Sequence, residues 1–312
     1  MITGILRPFI QLLPTVKLVS FIPCDLTDLM PGDAALSRLG LEATQEQLDA
    51  TREEMGLNDP MPIRYLGWLA RAVQGDLGNS LRSGEPVAEV LARRIPVTLQ
   101  LAAFGTGLAL LIGLPLGVLA AVRRNTWIDN VANVLALSGM AVPFFWLGLL
   151  LIMLFSLRLQ WIPPSGYVPF SEDPVKNLQL MALPSLTIAV AFAATLMRQT
   201  RASMLEVLNA DFVRTAHAKG TPHHRVILRH ALRNALVPII TVLGLQMGTL
   251  LGGAIVTETV FSLPGLGRMM VDGIYKRDFP IIQGALVTIV VAVVLTNLIT
   301  DLCYRVANPR IR

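Results

Sequence analysis

Charge is scarce in this chain of 312 residues: Asp, Glu, Lys and Arg together make up 15%, against about 25% in soluble globular domains. With 53% apolar residues and a mean hydropathy of +0.59, that scarcity excludes disorder and argues against a large soluble enzyme. Cysteine is scarcer still. Cys24 and Cys303 stand near opposite ends and give neither a disulfide framework nor a zinc spacing. No Gly-Lys dipeptide occurs, which excludes a phosphate-cradling loop of the G-x-x-x-x-G-K-S/T type, and no H-E-x-x-H metal motif occurs either. The net charge of +5 decides nothing until its placement is read.

Long apolar runs are what the chain has in abundance. Five stretches carry no Asp, Glu, Lys or Arg: 95–122, 130–157, 177–197, 234–257 and 279–300. Each exceeds the roughly 20 residues a helix needs to cross the hydrocarbon core, and none alternates in polarity as a lipid-facing strand must. Pro115, Pro143, Pro184 and Pro238 fall inside these stretches and are compatible with membrane helices, where neighbours satisfy the freed carbonyls. A first span is expected within 5–29, although Lys17, Pro23, Asp25 and Asp28 interrupt it. A charge at a helix centre costs about 2.5–3.5 kcal/mol, but Lys17 and Asp25 can lie toward opposite ends and snorkel. A cleaved signal peptide is the rival reading; Arg7 and the short apolar run 9–13 suit it weakly, and no small-residue cleavage site follows. The expectation is an all-α polytopic membrane protein with helices over about 9–29, 100–122, 133–156, 178–198, 236–257 and 281–302.

Six alternating spans from a cytoplasmic N-terminus place Arg7, Arg123, Arg124, the seven basic residues from Arg198 to Arg233, and Arg305, Arg310 and Arg312 inside. The net charge is then +9 inside and −3 outside, which agrees with the positive-inside rule. Both termini are therefore expected in the cytoplasm, with residues 1–30 as N-terminus and first helix, 95–305 as the membrane core and 306–312 as the tail.

Two extramembrane segments have legible structure. In 31–94, outside, Thr44 with Gln47 forms a capping box and Gly56 can end that helix. Ile63, Leu66, Leu69 and Val73 recur at helical spacing, and Pro86 opens a third helix over 87–94. The expectation is a small helical cap. In 198–234, inside, all four histidines of the chain occur: His217, His223, His224 and His230. No Cys or acid stands at ligand spacing to them, so a solvated basic surface is expected and no metal site. Asp211 can cap a helix over 212–219, Gly220 can end it in a left-handed conformation, and Thr221 can cap a second helix with Pro222 at its first position. Two short helices in a connection far longer than the usual 4–6 residues point to a docking element.

The five clean spans hold no ionisable acid, base or histidine. Proton-driven carriers and intramembrane hydrolases place such groups in the bundle interior. The chain thus provides a path without its own energy source. Within it, the Gly- and Pro-containing faces at 138–143 and 244–253 are candidates for the path, with Ser138, Pro143, Gln246 and Gly248 as candidate contacts; close helix packing explains the same small residues equally well. A channel or carrier acting alone, or a membrane anchor for a soluble partner, are the other function classes.

The run Asp211-Phe-Val-Arg-Thr-Ala-His-Ala-Lys-Gly220, followed by His230-Ala-Leu-Arg-Asn-Ala-Leu-Val-Pro238, closely resembles the cytoplasmic coupling loop of ABC importer permeases of the dipeptide, oligopeptide and nickel branch. Pro31-Gly-Asp33, Gly56-Leu-Asn-Asp-Pro60, Gly75-Asp-Leu-Gly78 with Ser80, Pro115-Leu-Gly117, Glu258-Thr-Val-Phe261 with Pro264-Gly-Leu-Gly267, and Asn308-Pro-Arg310 match in order. The long segment 31–94 resembles the first, B-type permease of the usual pair. The resemblance implies a six-helix type I importer subunit, a multi-pass protein of the bacterial inner membrane that transports peptides without being an enzyme. Its implied partners are a second permease in a heterodimer, two cytoplasmic ATPase subunits, an external solute-binding protein and the lipid bilayer, with no nucleic acid. No cofactor is implied in this chain, since ATP and magnesium belong to the ATPase. The resemblance assigns ATPase coupling to Asp211, Phe212, Arg214, Thr215, Ala216, Ala218, Lys219, Gly220, His230, Arg233 and Asn234. The wider permease motif begins Glu-Ala-Ala; aligned on Gly220, the glutamate position is Arg214, so the docking role carries over but a glutamate salt bridge does not. The first span departs further, because Lys17, Pro23, Cys24 and Asp25 interrupt a stretch that the family keeps nearly uninterrupted.

Overall fold

The computed structural model describes residues 21, 34–39, 43–54 and 58–307. Apart from Phe21, the expected first span lies outside the described residues, as do Pro31-Gly-Asp33, Gly56 and Asn308-Pro-Arg310. Among those described, the chain is helical apart from turns and one isolated bridge between Asn79 and Pro86. Four helices are long and apolar enough to cross a membrane, and a bent pair makes a fifth if it is one span. The chain forms two compact units: one of residues up to Thr98 with Pro264–Val294, the other of Leu99–Leu263 with the residues from Leu295 on.

In the first unit, α1 (Ala34–Leu39), α2 (Gln45–Glu54) and α3 (Met61–Val73) precede the start of α4 (Val87–Val122). The capping box expected at α2 is present: Thr44 N donates to Gln47 Oε1 at 3.0 Å, and Gln47 N donates to Thr44 Oγ1 at 3.4 Å. Helix α3 differs from expectation in its buried face. Tyr65 and Trp68 are buried, with Met61, Leu69 and Ala72 partly buried against them, whereas Ile63, Leu66 and Val73 are exposed. Burying the two large aromatic rings removes more apolar surface from water than the aliphatic stripe would. The separate helix expected over 87–94 does not exist as such, because it runs on without a break into the apolar stretch to make 36 residues of α4. At 1.5 Å per residue that is about 54 Å, well beyond the roughly 30 Å of a hydrocarbon core.

The same unit holds α11 (Leu266–Lys276) and the start of α12 (Phe279–Ala307). Val87, Leu91, Leu266, Met269, Ile281 and Ala285 form its core. A buried carboxylate ties its loops: Ser80 Oγ donates to Asp278 Oδ2 at 2.5 Å and Leu81 N to Oδ1 at 3.1 Å, while Ser80 Oγ itself accepts from Ser83 N at 3.0 Å.

The second unit is built around α7 (Pro174–Leu208), a 35-residue helix started by Asp173, whose side chain accepts from Lys176 N. Its buried face meets α4, α5 (Trp127–Ala141) and α10 (Leu232–Val260). The stretch 130–157, expected as one span, is instead two helices. Helix α5 ends at Ala141, Pro143 follows an extended Val142, and α6 (Phe144–Leu151) leaves at a bend of 104° before continuing as a π-helix over Ile152–Arg158. Proline has no N–H to offer α5 and pushes the residue before it out of helical geometry. Pro184 and Pro238, by contrast, stay inside α7 and α10.

Helix α4 approaches α7 closely through glycines. A Cβ on Gly113 would sit 2.8 Å from the Ala193 carbonyl oxygen, and one on Gly117 only 2.6 Å from Thr200 Cβ and 2.7 Å from the Met197 carbonyl oxygen. Gly117→Leu is therefore expected to destabilise the purified subunit by about 1–3 kcal/mol, read as a lower thermal midpoint in detergent. Gly107→Leu, where a Cβ meets nothing within 4 Å, is the matched control and should leave the midpoint unchanged.

Candidate functional site

The segment joining α7 to α10 folds as two short pieces. Helix α8 (Asp211–Ala218) begins after Ala210, which has extended ψ. Asp211 does not cap it as expected. It occupies the first turn with its side chain almost fully in solvent, where a carboxylate still favours the helix N-terminus. The C-terminus closes as expected at Gly220, with φ +75°. Gly220 N donates to the His217 carbonyl at 2.9 Å and Thr221 N to the Ala216 carbonyl at 3.2 Å, the two bonds of a Schellman motif. Thr221 does not cap the second piece either. Pro222 stands at that position with ψ 139°, and α9 (His223–Arg225) starts one residue later than expected.

Helix α8 presents nearly all of itself to solvent. Val213 is its only buried residue and Ala216 is half-buried, while Phe212, Arg214, Thr215, Ala218, Lys219 and Gly220 are exposed. The Arg214–Asp211 ion pair, at 3.5 Å between exposed side chains, contributes little. Thr215 Oγ1 donates to the Asp211 carbonyl, and the His217 and His223 rings approach to 3.2 Å between nitrogens. Among the described residues no group of three or more metal-ligating side chains occurs.

Beneath this surface the backing is solid. After α9, Val226–Ala231 form a π-helix whose Val226, Ile227 and Ala231 are buried, and it runs directly into α10. Ile227 and Ala231 join Ala121 of α4, Leu196 and Met204 of α7, and Ala235 and Ile239 of α10 in one core. His230 is half-buried in this stretch and its carbonyl accepts from Asn234 Nδ2 at 2.7 Å; Arg233 is exposed.

A second anchor has no motif to announce it. Asp129, in the first turn of α5 and 2% exposed, holds Arg201 of α7 through two hydrogen bonds of 2.6 Å and 2.8 Å. Asp129 also accepts from Asn125 N and Asn133 Nδ2, so the short loop that begins at Arg123, with Asn125 at φ +62°, is fastened to the end of α7. Glu258 is likewise a carboxylate inside α10, fully buried, one residue beyond the charge-free stretch.

The four candidate path residues lie in different settings. Ser138 and Pro143 are exposed beside the α5–α6 bend. Gln246 is buried, donating to the Phe192 carbonyl at 3.5 Å, with its Oε1 lacking any partner. Gly248 is exposed on α10, and a Cβ there would meet nothing within 4 Å.

Removing Asp129 would strand the guanidinium it holds. Asp129→Asn is expected to cost about 3 kcal/mol in subunit stability, and Arg201→Lys to cost a comparable fraction because an ammonium cannot reproduce the paired bonds. Thermal unfolding of both variants checks this; a midpoint equal to the parent's in Asp129→Asn would refute the anchor.

Comparison with known proteins gives these surfaces a family. Residues 113–312 match the model of the binding-protein-dependent transport system inner membrane component, and residues 1–102 match the N-terminal model of such membrane components. The glutathione transport system permease protein GsiC of Escherichia coli strain K12 is 40% identical over 312 residues, covering 100% of this chain and 99% of its own. A Brucella suis biovar 1 protein, named as a candidate peptide permease, is 43% identical over 292 residues, covering 92% of each chain. Among solved structures, the inward-facing MetNI methionine ABC transporter superposes with a TM-score of 0.57 at 19% identity, over 70% of this chain and 96% of its own, which establishes likeness of fold. The chain thus belongs to the inner-membrane components of binding-protein-dependent transport systems and is a permease subunit of an ABC importer.

Proposed function

We propose that this permease serves an importer of di- or oligopeptides and that α8 is the surface through which a separate ATPase drives it. Two relatives named for peptides and for glutathione, itself a short peptide, support the substrate class. The observation that carries the coupling role is the exposure of α8: eight residues with one buried side chain, closed by the Schellman bonds at Gly220 and seated on a packed core. A helix so exposed contributes little to its own subunit's stability, which fits a surface kept for a partner.

Motion at α8 has two routes into the membrane helices. One runs through the π-helix Val226–Ala231 into α10, the other through the core that the π-helix shares with the end of α7 near Met204. Closure of the ATPase pair against α8 would rock these helices and alternate access along a path that includes Ser138, Pro143, Gln246 and Gly248. In this reading both chain termini and α8 face the cytoplasm of a bacterial inner membrane. A second permease and two ATPases complete the transporter, and a solute-binding protein delivers the peptide from outside. In the same reading ATP and magnesium act on the ATPases, which fits a chain without a Gly-Lys dipeptide.

Ala216→Glu would place a carboxylate at the half-buried base of α8, and Gly220→Pro would force φ from +75° to about −65° and remove an N–H that closes the helix. Both are expected to abolish peptide uptake by the assembled transporter and to lower ATPase association at least about tenfold, while membrane levels of the subunit stay at the parent's. Normal uptake by both variants would overturn the coupling role.

A further inference from the structure

An apolar groove of about 460 Å³ opens beside the coupling segment, between the end of α4 and the start of the α9–α10 helix. Leu114, Val118 and Leu119 form one wall and Ile227, Leu228 and Leu232 the other. His224 is the only polar residue that lines it. Leu119 and Leu228 remain 43% and 60% exposed, so neither wall is covered by the rest of the subunit. A cavity of this size is in the range that holds a small ligand, but one with a single imidazole along otherwise apolar walls has little means of orienting a polar solute.

The charges at its rim say what covers it. Past Val122, which lines the groove, the chain continues into Arg123 and Arg124, both exposed, and Arg123 N donates to the carbonyl of Leu119 in the wall. On the opposite wall, Arg225 and Arg229 flank the lining residues and are exposed. No acid occurs in 114–124 or in 222–234. The nearest in sequence, Asp129, is already bound to Arg201. Trp127, in the first turn of α5, is 73% exposed, and an exposed tryptophan beside arginines marks the level of a membrane–water interface. The groove therefore runs from the hydrocarbon side up to a cationic rim at headgroup level.

We propose that this groove binds one anionic phospholipid, with an acyl chain lying between Val118 and Leu228 and the phosphate against Arg123, Arg124 and Arg225. Basic pockets at the cytoplasmic ends of membrane helices hold anionic headgroups by the same balance of apolar burial and charge. The lipid would brace the π-helix that joins the coupling surface to α10. The proposal rests on the membrane reading of the chain and not on the ATPase-docking role of α8, and its readout is lipid binding, independent of uptake.

Native mass spectrometry of the detergent-purified transporter, titrated with phosphatidylglycerol or with phosphatidylcholine of the same acyl chains, tests it. Phosphatidylglycerol is expected to bind at least about tenfold more tightly. Arg123→Gln and Arg124→Gln should each weaken it about fivefold, with no change in thermal midpoint in lipid-free detergent, since both side chains are exposed. Leu228→Trp, which fills the groove and leaves the rim intact, should also lower phosphatidylglycerol binding. Equal binding of the two lipids, or unchanged phosphatidylglycerol binding in all three variants, would overturn the proposal and leave the groove as ordinary lipid-facing surface.

Discussion

Helices in lipid gain little from hiding apolar side chains, because the surrounding tails are as apolar as the core. What holds α7 in place must therefore be close contact and polar fastening. The close contact comes from Gly113 and Gly117 of α4, which let the backbone of α7 approach until a single added methyl would collide with Ala193, Met197 or Thr200. The fastening comes at the two ends. Near the start of α7, Asn177 is fully buried, paired with Gln100 of α4 and donating to the Val168 carbonyl at 2.7 Å. Near its other end, Arg201 is gripped by Asp129. A long central helix is thus pinned at both ends, and α4, α5, α6 and α10 pack against it.

The same pinning fixes both ends of the chain around α8. Asp129 ties Arg201 to the loop before α5, so the last two turns of α7 leave a fixed point before the chain reaches α8. On the far side, the π-helix buries Val226, Ile227 and Ala231. A π-turn widens the helix by one residue per turn and often occurs at functional sites; here it lies between the proposed docking helix and α10.

Much of this was legible in sequence and some was not, for physical reasons. Absence of charge over twenty or more residues marks a membrane helix whatever its partners, so the apolar stretches could be read directly. The Thr44–Gln47 capping box and the left-handed Gly220 were readable because they depend on residues no more than five apart. The break at Pro143 was not, since Pro184 and Pro238 lie within equally apolar stretches and remain helical. Nor was the buried face of α3, where two aromatic rings override an aliphatic periodicity. The Asp129–Arg201 pair joins residues 72 positions apart, and no local spacing predicts it. At the proposed coupling surface the motif assigns residues by resemblance alone, whereas their exposure and the core beneath them are properties of the folded chain.

The shortness of α8 bears on how it can work. An isolated helix of fewer than about 12–15 residues is marginal in water, and α8 has eight with a single buried side chain. Its order must come from its ends: the Schellman bonds at Gly220 and the attachment of Val213 to the subunit. In the proposed docking role, a helix already ordered before its partner arrives spares the association the entropy of ordering it. It also transmits force, because a segment that folded only on contact would absorb the partner's motion in its own rearrangement. An exposed surface with fixed ends and a packed base meets both needs, and the cost is borne by Gly220, whose left-handed geometry other residues adopt only under strain.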